Sequence, residues 1–316
     1  MKIIDTHCDA LFKMQVAKRD SLYHAPLLNF DNAERLDTNF QRLHAGGIKV
    51  QFFAVFLHPD LPSDEKWQHA LEQVDLFHLE IVGKNPRMRH IRKWEDIHNL
   101  KEDEIGAVLT LEGAEPIGND LGKLRHLFRL GVLSVGLTWN YANLCADGIG
   151  EPRGAGLTLF GKDVVRANNQ NRVFTDVSHL SEKAFWDVLE EANYPIASHS
   201  NARSLCDHAR NLSDEQARAM FSINAMVNVV FFPEFINTEA KPATIADLIR
   251  HIDHFCSLGG VDHIGFGSDF DGIKIYTEEL KNAGDYPNLI NELQKHYTET
   301  QVEGFAHRNF MHHLPM

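Results

Sequence analysis

The residues of this chain with the clearest chemical potential are His7 and Asp9, two positions apart at the end of a short apolar run. Side chains along an extended strand alternate between its two faces, so this pair shares one face and Cys8 points to the other. An imidazole and a carboxylate held together are half of a divalent-metal site. Since the same pattern also suits an ordinary polar strand end, the rest of the chain has to supply the other half.

Further residues of metal-binding type follow other apolar runs directly. They are Glu112, His179, His199 and Asp269. Any one of them alone is compatible with a solvated loop carboxylate, a buried core histidine or a turn cap. Together with the first pair they would place several charged groups at one point, which is costly without a cation. The set as a whole therefore predicts a metal centre.

The number of ligands predicts two metal ions. His7 and Asp9 would bind one ion, His179 and His199 would bind the other, and Glu112 would be shared between them. Imidazole and carboxylate ligands without a thiolate favour Zn²⁺, with Mn²⁺ or Co²⁺ as alternatives. Two such ions can lower the pKa of a bridging water and polarise a carbonyl, which is the chemistry of a hydrolase.

Eight short apolar runs alternate with amphipathic stretches and predict the scaffold. The runs are Ile3–Cys8, Lys49–Phe56, Gly106–Leu111, Val132–Thr138, Val173–Ser178, Pro195–Ser198, Ala225–Phe232 and His263–Gly267. Eight strands alternating with helices predict a (β/α)8 barrel of the TIM type, with an open doubly wound sheet as the second choice. Catalytic groups of such barrels lie at the carboxyl ends of the strands, where the candidate ligands occur.

Start signals mark several of the helices. Capping-box spacing occurs at Ser213, Thr244 and Thr298. Helices are predicted over Glu65–Val82, Asp120–Leu130, Glu182–Ala192 and Ile245–Leu258. His251 lies in the last of them, where we expect a solvated helix face. Because no linker divides the chain, residues 1–316 are expected to form one catalytic domain with a C-terminal helical tail.

Bulk composition excludes several classes of protein. A formal net charge of -13 argues against nucleic acid and anionic membranes as partners. No apolar stretch has the length of a membrane helix, and the first residues run into the His7 motif without a secretory leader. The four cysteines are widely spaced and form no CxxC pair, so we expect small buried thiols and a cytoplasmic protein.

The ordered set of motifs resembles the renal (membrane) dipeptidases, peptidase family M19 of the amidohydrolase superfamily, and in particular their bacterial branch. The similarity runs from Asp5 to Phe310. Its motifs include Leu43-His44-Ala45-Gly46-Gly47, Leu111-Glu112-Gly113, Asp176-Val177-Ser178-His179, Ser198-His199-Ser200, Arg210-Asn211 and Gly267-Ser268-Asp269-Phe270-Asp271-Gly272. The resemblance implies a barrel of the metal-dependent amidohydrolase type and a homodimer.

The resemblance implies the same division of the ligands. A first zinc ion would lie on His7 and Asp9 and a second on His179 and His199, with Glu112 as the bridge. The implied reaction is hydrolysis of a small dipeptide, in which a hydroxide bridging the metals attacks the scissile carbonyl. Tolerance of a D-residue at the C-terminal position is implied as well.

Four further residues receive roles from the resemblance. Asp269, catalytic together with the bridging glutamate, matches the acidic residue that passes a proton to the leaving amine. Arg210 matches the arginine that binds the C-terminal carboxylate of the substrate, which suits guanidinium geometry. Vertebrate members carry a substrate-contacting histidine where this chain has Trp139 and Asn140. Either Asn140 or a nearby group of that loop takes its place, or polarisation of the carbonyl rests more on zinc, and Trp139 and Asn140 are the candidate substrate-binding residues.

Two other functions stay open at this point. One is a different amidohydrolase reaction, such as opening of a lactone or cyclic amide, deamination, or hydrolysis of an N-acyl amino acid. Many such barrels use a carboxylated lysine as the bridge, and no lysine follows the fourth run here. The other is a non-catalytic binding protein with a structural metal. Asp269 and Arg210 argue against it, because a closed four-ligand site needs neither.

Overall fold

Nine parallel strands form one sheet, and eight of them close a barrel in the computed structural model, which describes residues 1–21, 28–238 and 242–316. The strands are β1 (Ile3–Asp5), β2 (Ile48–Phe56), β3 (Met88–His90), β4 (Ile105–Glu112), β5 (Val132–Gly136), β6 (Phe174–Asp176), β7 (Pro195–Ala197), β8 (Met226–Val229) and β9 (Ile264–Phe266). Around the barrel β1 is followed by β2, β4, β5, β6, β7, β8 and β9, and β9 pairs with β1. The predicted barrel is confirmed, and each predicted run overlaps one of its strands.

Strand β3 was not predicted. It pairs with residues 105–107 of β4, on the side where β5 pairs with residues 109–112, so it extends the edge of the barrel without being part of the closed ring. In this strand Met88 is buried while Arg89 is exposed and His90 is half-buried. Such a short polar segment has no apolar run by which it could be recognised.

Helices follow most of the strands, and those that the sequence predicted are present. The α-helices are α1 (Ala10–Ser21), α2 (Phe40–Ala45), α3 (Lys66–Leu76), α4 (Leu121–Leu130), α5 (Leu159–Asn171), α6 (Glu182–Glu191), α7 (Asp214–Ser222), α8 (Pro233–Ile236), α9 (Ile245–Ser257), α10 (Tyr286–Leu293), α11 (Glu299–Glu303) and α12 (Asn309–His312). The three predicted capping boxes at Ser213, Thr244 and Thr298 all form. The predicted helix 65–82 consists of α3 and a π-helical stretch, Phe77–Gly83.

The C-terminal tail closes the amino-terminal end of the barrel. Asn309 donates its side-chain N–H groups to the backbone carbonyls of Val261 (3.0 Å) and Ile264 (2.9 Å), which fixes the tail beside β9. Phe310 then packs edge-on against Phe52 of β2, with 5.6 Å between the ring centroids. Apolar side chains therefore fill this end of the barrel. The candidate functional groups lie at the opposite end, where they follow the carboxyl ends of the strands.

All four cysteines are free thiols, and Cys8, Cys145 and Cys206 are buried, as expected. Cys8 packs in the apolar core, where the Thr38 hydroxyl contacts its sulfur at 3.7 Å. None of the described helices combines the length and the apolar character needed to cross a membrane.

His251 was expected on a solvated helix face, and this expectation is wrong. The residue lies on the buried face of α9, one turn from Leu248 and from Phe255, and only 1% of it is exposed. Its Nδ1 accepts the backbone N–H of Ala202 (3.1 Å), so Nε2 carries the proton and donates it to the Ile236 carbonyl (2.8 Å). Burial lowers the pKa of this imidazole to about 4.

The neutral form of His251 makes the fold sensitive to acid. The unfolded chain binds a proton near pH 6.5 and the folded chain near pH 4, so stability is fully present above pH 6.5 and is lost as the pH falls. We expect this residue to remove about 3 kcal/mol of unfolding free energy by pH 4. Urea titrations of the wild type and His251→Gln between pH 7 and pH 4 would measure it. A variant whose stability falls as steeply with pH as that of the wild type would contradict the assignment.

Candidate metal centre and active site

The predicted ligands lie together at the carboxyl ends of the barrel strands. Asp5, the last residue of β1, is buried and accepts the backbone N–H groups of His7 (3.2 Å) and Ser268 (2.9 Å). It also accepts the Ser268 hydroxyl at 2.6 Å. These bonds join the end of β1 to the segment after β9. They hold His7 and Asp9 beside Asp269 in spite of their distance in sequence.

Glu112 is the centre of the cluster. Its Oε1 lies 2.9 Å from Nε2 of His179, 3.6 Å from Nε2 of His199 and 3.7 Å from Nε2 of His7. Asp9 is on the far side of His7, with 3.3 Å between Oδ2 and Nε2. All five side chains are buried. One carboxylate oxygen thus faces three imidazoles.

His199 is oriented by a short hydrogen-bond chain through the barrel wall. The Ser198 hydroxyl donates to the carboxylate of Asp176, so its oxygen accepts the proton on His199 Nδ1 (2.7 Å). Asp176 is fixed in turn by the backbone N–H groups of Ser178 and Ser198, both at 3.0 Å. This fixes the tautomer of His199 and leaves Nε2 without a proton, in the form that binds a metal.

His179 is oriented by Asn140. The Asn140 side-chain carbonyl accepts the proton on His179 Nδ1 at 2.7 Å, so here too Nε2 is left bare. The loop that carries Asn140 folds back along His179, because Ile149 donates its N–H to the His179 carbonyl (2.7 Å) and Gly150 donates to the Asn140 carbonyl (2.7 Å). A side chain at Gly148 would lie 2.2 Å from the Trp139 carbonyl, so glycine is required for this close approach.

Burial and mutual charge shift the acidities of the central groups. Burial is the largest influence on Glu112 and raises the pKa of its carboxyl well above the usual value. Burial lowers the pKa of His179 and of His199 well below the usual range, and neighbouring positive charges add to the effect. Burial also disfavours the charged form of His7, but the carboxylates of Glu112 and Asp9 outweigh it and raise the pKa of His7 to about 10.

The donor set fits a divalent cation. Among the described residues, His7 Nε2 and Asp9 Oδ1 are buried and have no hydrogen-bond partner. His179 Nε2 and His199 Nε2 lie 2.8 Å apart, although both rings carry their proton on the other nitrogen. Two imidazole lone pairs that face each other, beside several buried carboxylates, are costly unless a cation binds among them. Imidazole and carboxylate ligands suit zinc and other first-row divalent ions.

Asp269 lies at the edge of the cluster, where the cavity begins. Its side chain is 16% exposed, and Oδ1 is 3.7 Å from Nε2 of His7. Its backbone has a φ of +63°, which is unusual for a residue with a side chain and is typical of functional sites. Burial raises the pKa of this carboxyl to about 7. A side chain at Gly272 would lie within 2.6 Å of both Asp9 and Asp269, so a glycine is needed there.

Arg210 is a buried cation with unused donors. It lies in the loop after β7, only 6% exposed, and Nη2 makes a long hydrogen bond of 3.4 Å to the His199 carbonyl. Its Nε has no partner among the described residues, and its guanidinium lies 5.4 Å from the centroid of the Phe235 ring. Burial lowers the pKa of Arg210 to about 10. The free donors suit an anionic ligand, above all a carboxylate.

A cavity of about 760 Å³ opens over these groups. Its polar lining includes Asp9, Glu112, His179, Arg210 and Asp269, and apolar or aromatic side chains make up most of the remaining lining. The two loop residues predicted to bind substrate, Trp139 and Asn140, both line it. His7 and His199 lie beneath, with 3.9 Å between their stacked rings.

Three residues that support the site were not among the predicted site residues. They are Asp176, Ser198 and Gly272. Each belongs to a motif that is visible in the sequence, yet its contact joins residues far apart in the chain. The sequence shows only that polar residues are adjacent at a strand end. This pattern does not reveal which of them contacts a candidate metal ligand.

Comparisons with known proteins show the family of this chain. The family model of the membrane dipeptidases, peptidase family M19, matches residues 1–315. An uncharacterized dipeptidase of Schizosaccharomyces pombe is 29% identical over 329 aligned positions, covering 98% of this chain and 79% of that protein. An uncharacterized protein encoded near pqqA in Klebsiella pneumoniae is 34% identical over 265 residues, covering 80% of this chain and 96% of its own length.

Solved structures lead to the same family. The M19 metallopeptidase dipeptidase AC superposes with a TM-score of 0.90 at 25% identity, covering 99% of this chain and 98% of its own. A metallopeptidase from Rhodobacter sphaeroides, solved with a phosphinate mimic of L-Ala-D-Ala, has the same fold, with a TM-score of 0.89 at 24% identity and the same coverage of both chains. The protein is a metallodipeptidase with a (β/α)8 barrel, and it belongs to the membrane dipeptidase family M19.

Proposed function

We propose that the chain hydrolyses dipeptides at a binuclear zinc centre held by His7, Asp9, Glu112, His179 and His199, with Mn²⁺ or Co²⁺ as possible replacements. The observation that carries this proposal is the position of Glu112 Oε1, within 3.7 Å of Nε2 of three histidines. The bound ions would supply Lewis-acid activation of the scissile carbonyl and of the attacking water.

The remaining residues orient the substrate and move its proton. Arg210 would bind the C-terminal carboxylate of the dipeptide through its free donors, which limits substrates to short peptides. Asp269 Oδ1 lies at the boundary between the metal ligands and the cavity. It would take the proton that the attacking water releases and pass it to the leaving amine. Trp139 and Asn140 would contact the substrate from the loop after β5.

We also propose that dipeptides with a C-terminal D-residue are substrates. The support is the Rhodobacter sphaeroides metallopeptidase, which binds a mimic of L-Ala-D-Ala in the same fold. A panel of L,L and L,D dipeptides, assayed beside a lactone and an N-acyl amino acid, tests the reaction class. Hydrolysis of the dipeptides alone is expected. Turnover of the lactone or the acyl amino acid without dipeptide hydrolysis would contradict the proposal.

Residues 1–316 are proposed to act as one catalytic domain, paired in a homodimer, in the cytoplasm. The free state of all four cysteines supports a reducing compartment. Light scattering during gel filtration measures the assembly, with twice the 35.9 kDa chain mass as the expected result. A monomer with full dipeptidase activity would contradict the dimer.

Asn140→Ala is expected to weaken zinc binding by about 10- to 100-fold, because His179 loses the acceptor that fixes its tautomer. Competition with a chelating dye measures this without reference to catalysis. Asn140→Asp keeps the acceptor and is expected to restore binding. The neighbouring, half-exposed Tyr141 supplies the control variant Tyr141→Ala. Unchanged zinc affinity in Asn140→Ala would show that Asn140 acts on the substrate alone.

A further inference from the structure

The cavity has an apolar wall on one side, which we call the aromatic wall, formed by Phe12, Val16, Phe56 and Trp139. The rings of Phe12 and Phe56 meet edge to face, with 5.1 Å between centroids, and Phe56 meets Trp139 in the same way at 5.4 Å. Edge-to-face contacts of this kind are favourable and hold the rings in fixed orientations. The wall is therefore a preformed surface.

The aromatic wall is not covered by the protein itself. Phe12 and Val16 lie one turn apart on α1 and share the face that borders the cavity. Phe12, Phe56 and Trp139 are half-buried, and Val16 is 38% exposed. Apolar rings that line a concave site with a few polar groups at its base are typical of surfaces that contact a ligand.

One charged residue lies on the same helix as Phe12 and Val16 without altering the apolar character of the wall. It is Lys13, which also lines the cavity. Its ammonium is engaged by the carboxylates of Asp271 (3.0 Å) and Asp37 (3.7 Å). Because those carboxylates already neutralise it, Lys13 does not favour an acidic side chain at the wall.

The order of the strands places the wall opposite Arg210. Phe56 ends β2, and Arg210 lies in the loop after β7. Around the closed ring, β2 and β7 are separated by three strands in either direction, so they lie diametrically opposite. Phe12 follows β1, which is next to β2 in the ring. Trp139 follows β5, midway between β2 and β7, and its ring contact with Phe56 holds it on the β2 side. A dipeptide bound by its carboxylate at Arg210 would therefore direct its N-terminal residue to the wall.

We infer that the aromatic wall binds the side chain of the N-terminal residue of the dipeptide, and that the enzyme selects dipeptides whose N-terminal side chain is large and apolar, above all aromatic. This inference depends on the proposed function, since Arg210 and the metal centre set the direction of the substrate. Alanine or a charged side chain at the same place would leave the rings of the wall in contact with water.

The test is a set of kcat/KM values for Phe-Ala, Leu-Ala, Ala-Ala, Glu-Ala and Ala-Phe. The wild type is expected to prefer Phe-Ala over Ala-Ala by at least about tenfold, with Glu-Ala the poorest, because apolar complementarity of this size gives discrimination of that order. Phe56→Ala and Phe12→Ala are expected to bring the Phe-Ala to Ala-Ala ratio close to one. Phe232→Ala is the matched control, since Phe232 lines the same cavity beside Phe235 (ring centroids 4.9 Å apart).

The outcomes separate the inference from the proposed function. If the wild type hydrolyses no dipeptide, the proposed function fails. If dipeptides are cleaved but Phe-Ala and Ala-Ala are equal, or both wall variants keep the wild-type ratio, the inference fails alone. A wall variant that changes the Ala-Phe to Ala-Ala ratio instead would assign the wall to the C-terminal residue and also overturn it. Zinc content and melting temperature show whether each variant is folded, and Phe12→Leu serves where alanine is not tolerated.

Discussion

Glu112→Gln is expected to lower kcat/KM for dipeptides by roughly three orders of magnitude. The carboxylate faces His7, His179 and His199 within 3.7 Å, so one substitution removes a negative charge from both proposed metal positions. Lewis-acid activation is worth several kcal/mol, and about 4 kcal/mol corresponds to a factor of about 10³ in rate. Metal content should fall at the same time, which metal analysis of the purified variant measures.

Glu115→Gln is the matched control for this change. Glu115 lies three residues further along, is also a largely buried carboxylate with a raised pKa caused by burial, and accepts an N–H of Asn143 at 3.1 Å. It is not part of the cavity lining, so its neutral replacement should keep the dipeptidase activity. Wild-type turnover in Glu112→Gln, or equal losses in the two variants, would contradict a bridging role for Glu112.

Arg210→Lys is expected to lower kcat/KM for free dipeptides by roughly 10- to 100-fold, mainly through KM. A hydrogen bond to a charged group contributes about 1.5–3 kcal/mol, and lysine cannot reproduce the two-pronged contact of a guanidinium with a carboxylate. The wild type should also discriminate against dipeptide amides, which lack the carboxylate. In the variant this discrimination should largely disappear. Kinetics with Ala-Ala and its amide measure both effects.

Arg203→Lys is the matched control for Arg210→Lys. It shows whether the same substitution at another arginine of the loop has the same effect. The Arg203 side chain is engaged by Glu182 and by the backbone carbonyls of Ala209 and Asn211 (3.0 Å each), and it does not line the large cavity. Its replacement should leave the preference for the free carboxylate as in the wild type. If Arg210→Lys also kept that preference, the carboxylate would have to bind elsewhere.

The barrel and its ligand set could be predicted because both leave a local trace in the sequence. Strands buried on both faces form continuous apolar runs, and parallel strands of a barrel end at one rim, so polar residues after the runs had to meet. That is why His7, Glu112 and His199 are close together although about a hundred residues separate each from the next. The family resemblance then supplied Arg210, which no run marks, and the proton-transfer role of Asp269.

The supporting contacts could not be predicted, because they depend on which side chains face each other across strands. The hydrogen-bond chain from Asp176 through Ser198 to His199 joins residues that are 22 positions apart. Substrate binding by Asn140 stays a prediction, and the contact that the structure shows is that of its side-chain carbonyl with His179. His251 was expected on the solvated face of its helix, but it lies on the buried face with Leu248 and Phe255, where the backbone groups of Ala202 and Ile236 bond its ring.

The most direct measurement is a metal titration of the metal-free enzyme, in which bound zinc and hydrolysis of a dipeptide are followed at each step. If two ions share the carboxylate of Glu112, we expect no hydrolysis without metal and full hydrolysis at two zinc ions per chain. Full hydrolysis by the metal-free protein, or saturation of both binding and activity at a single ion, would contradict it.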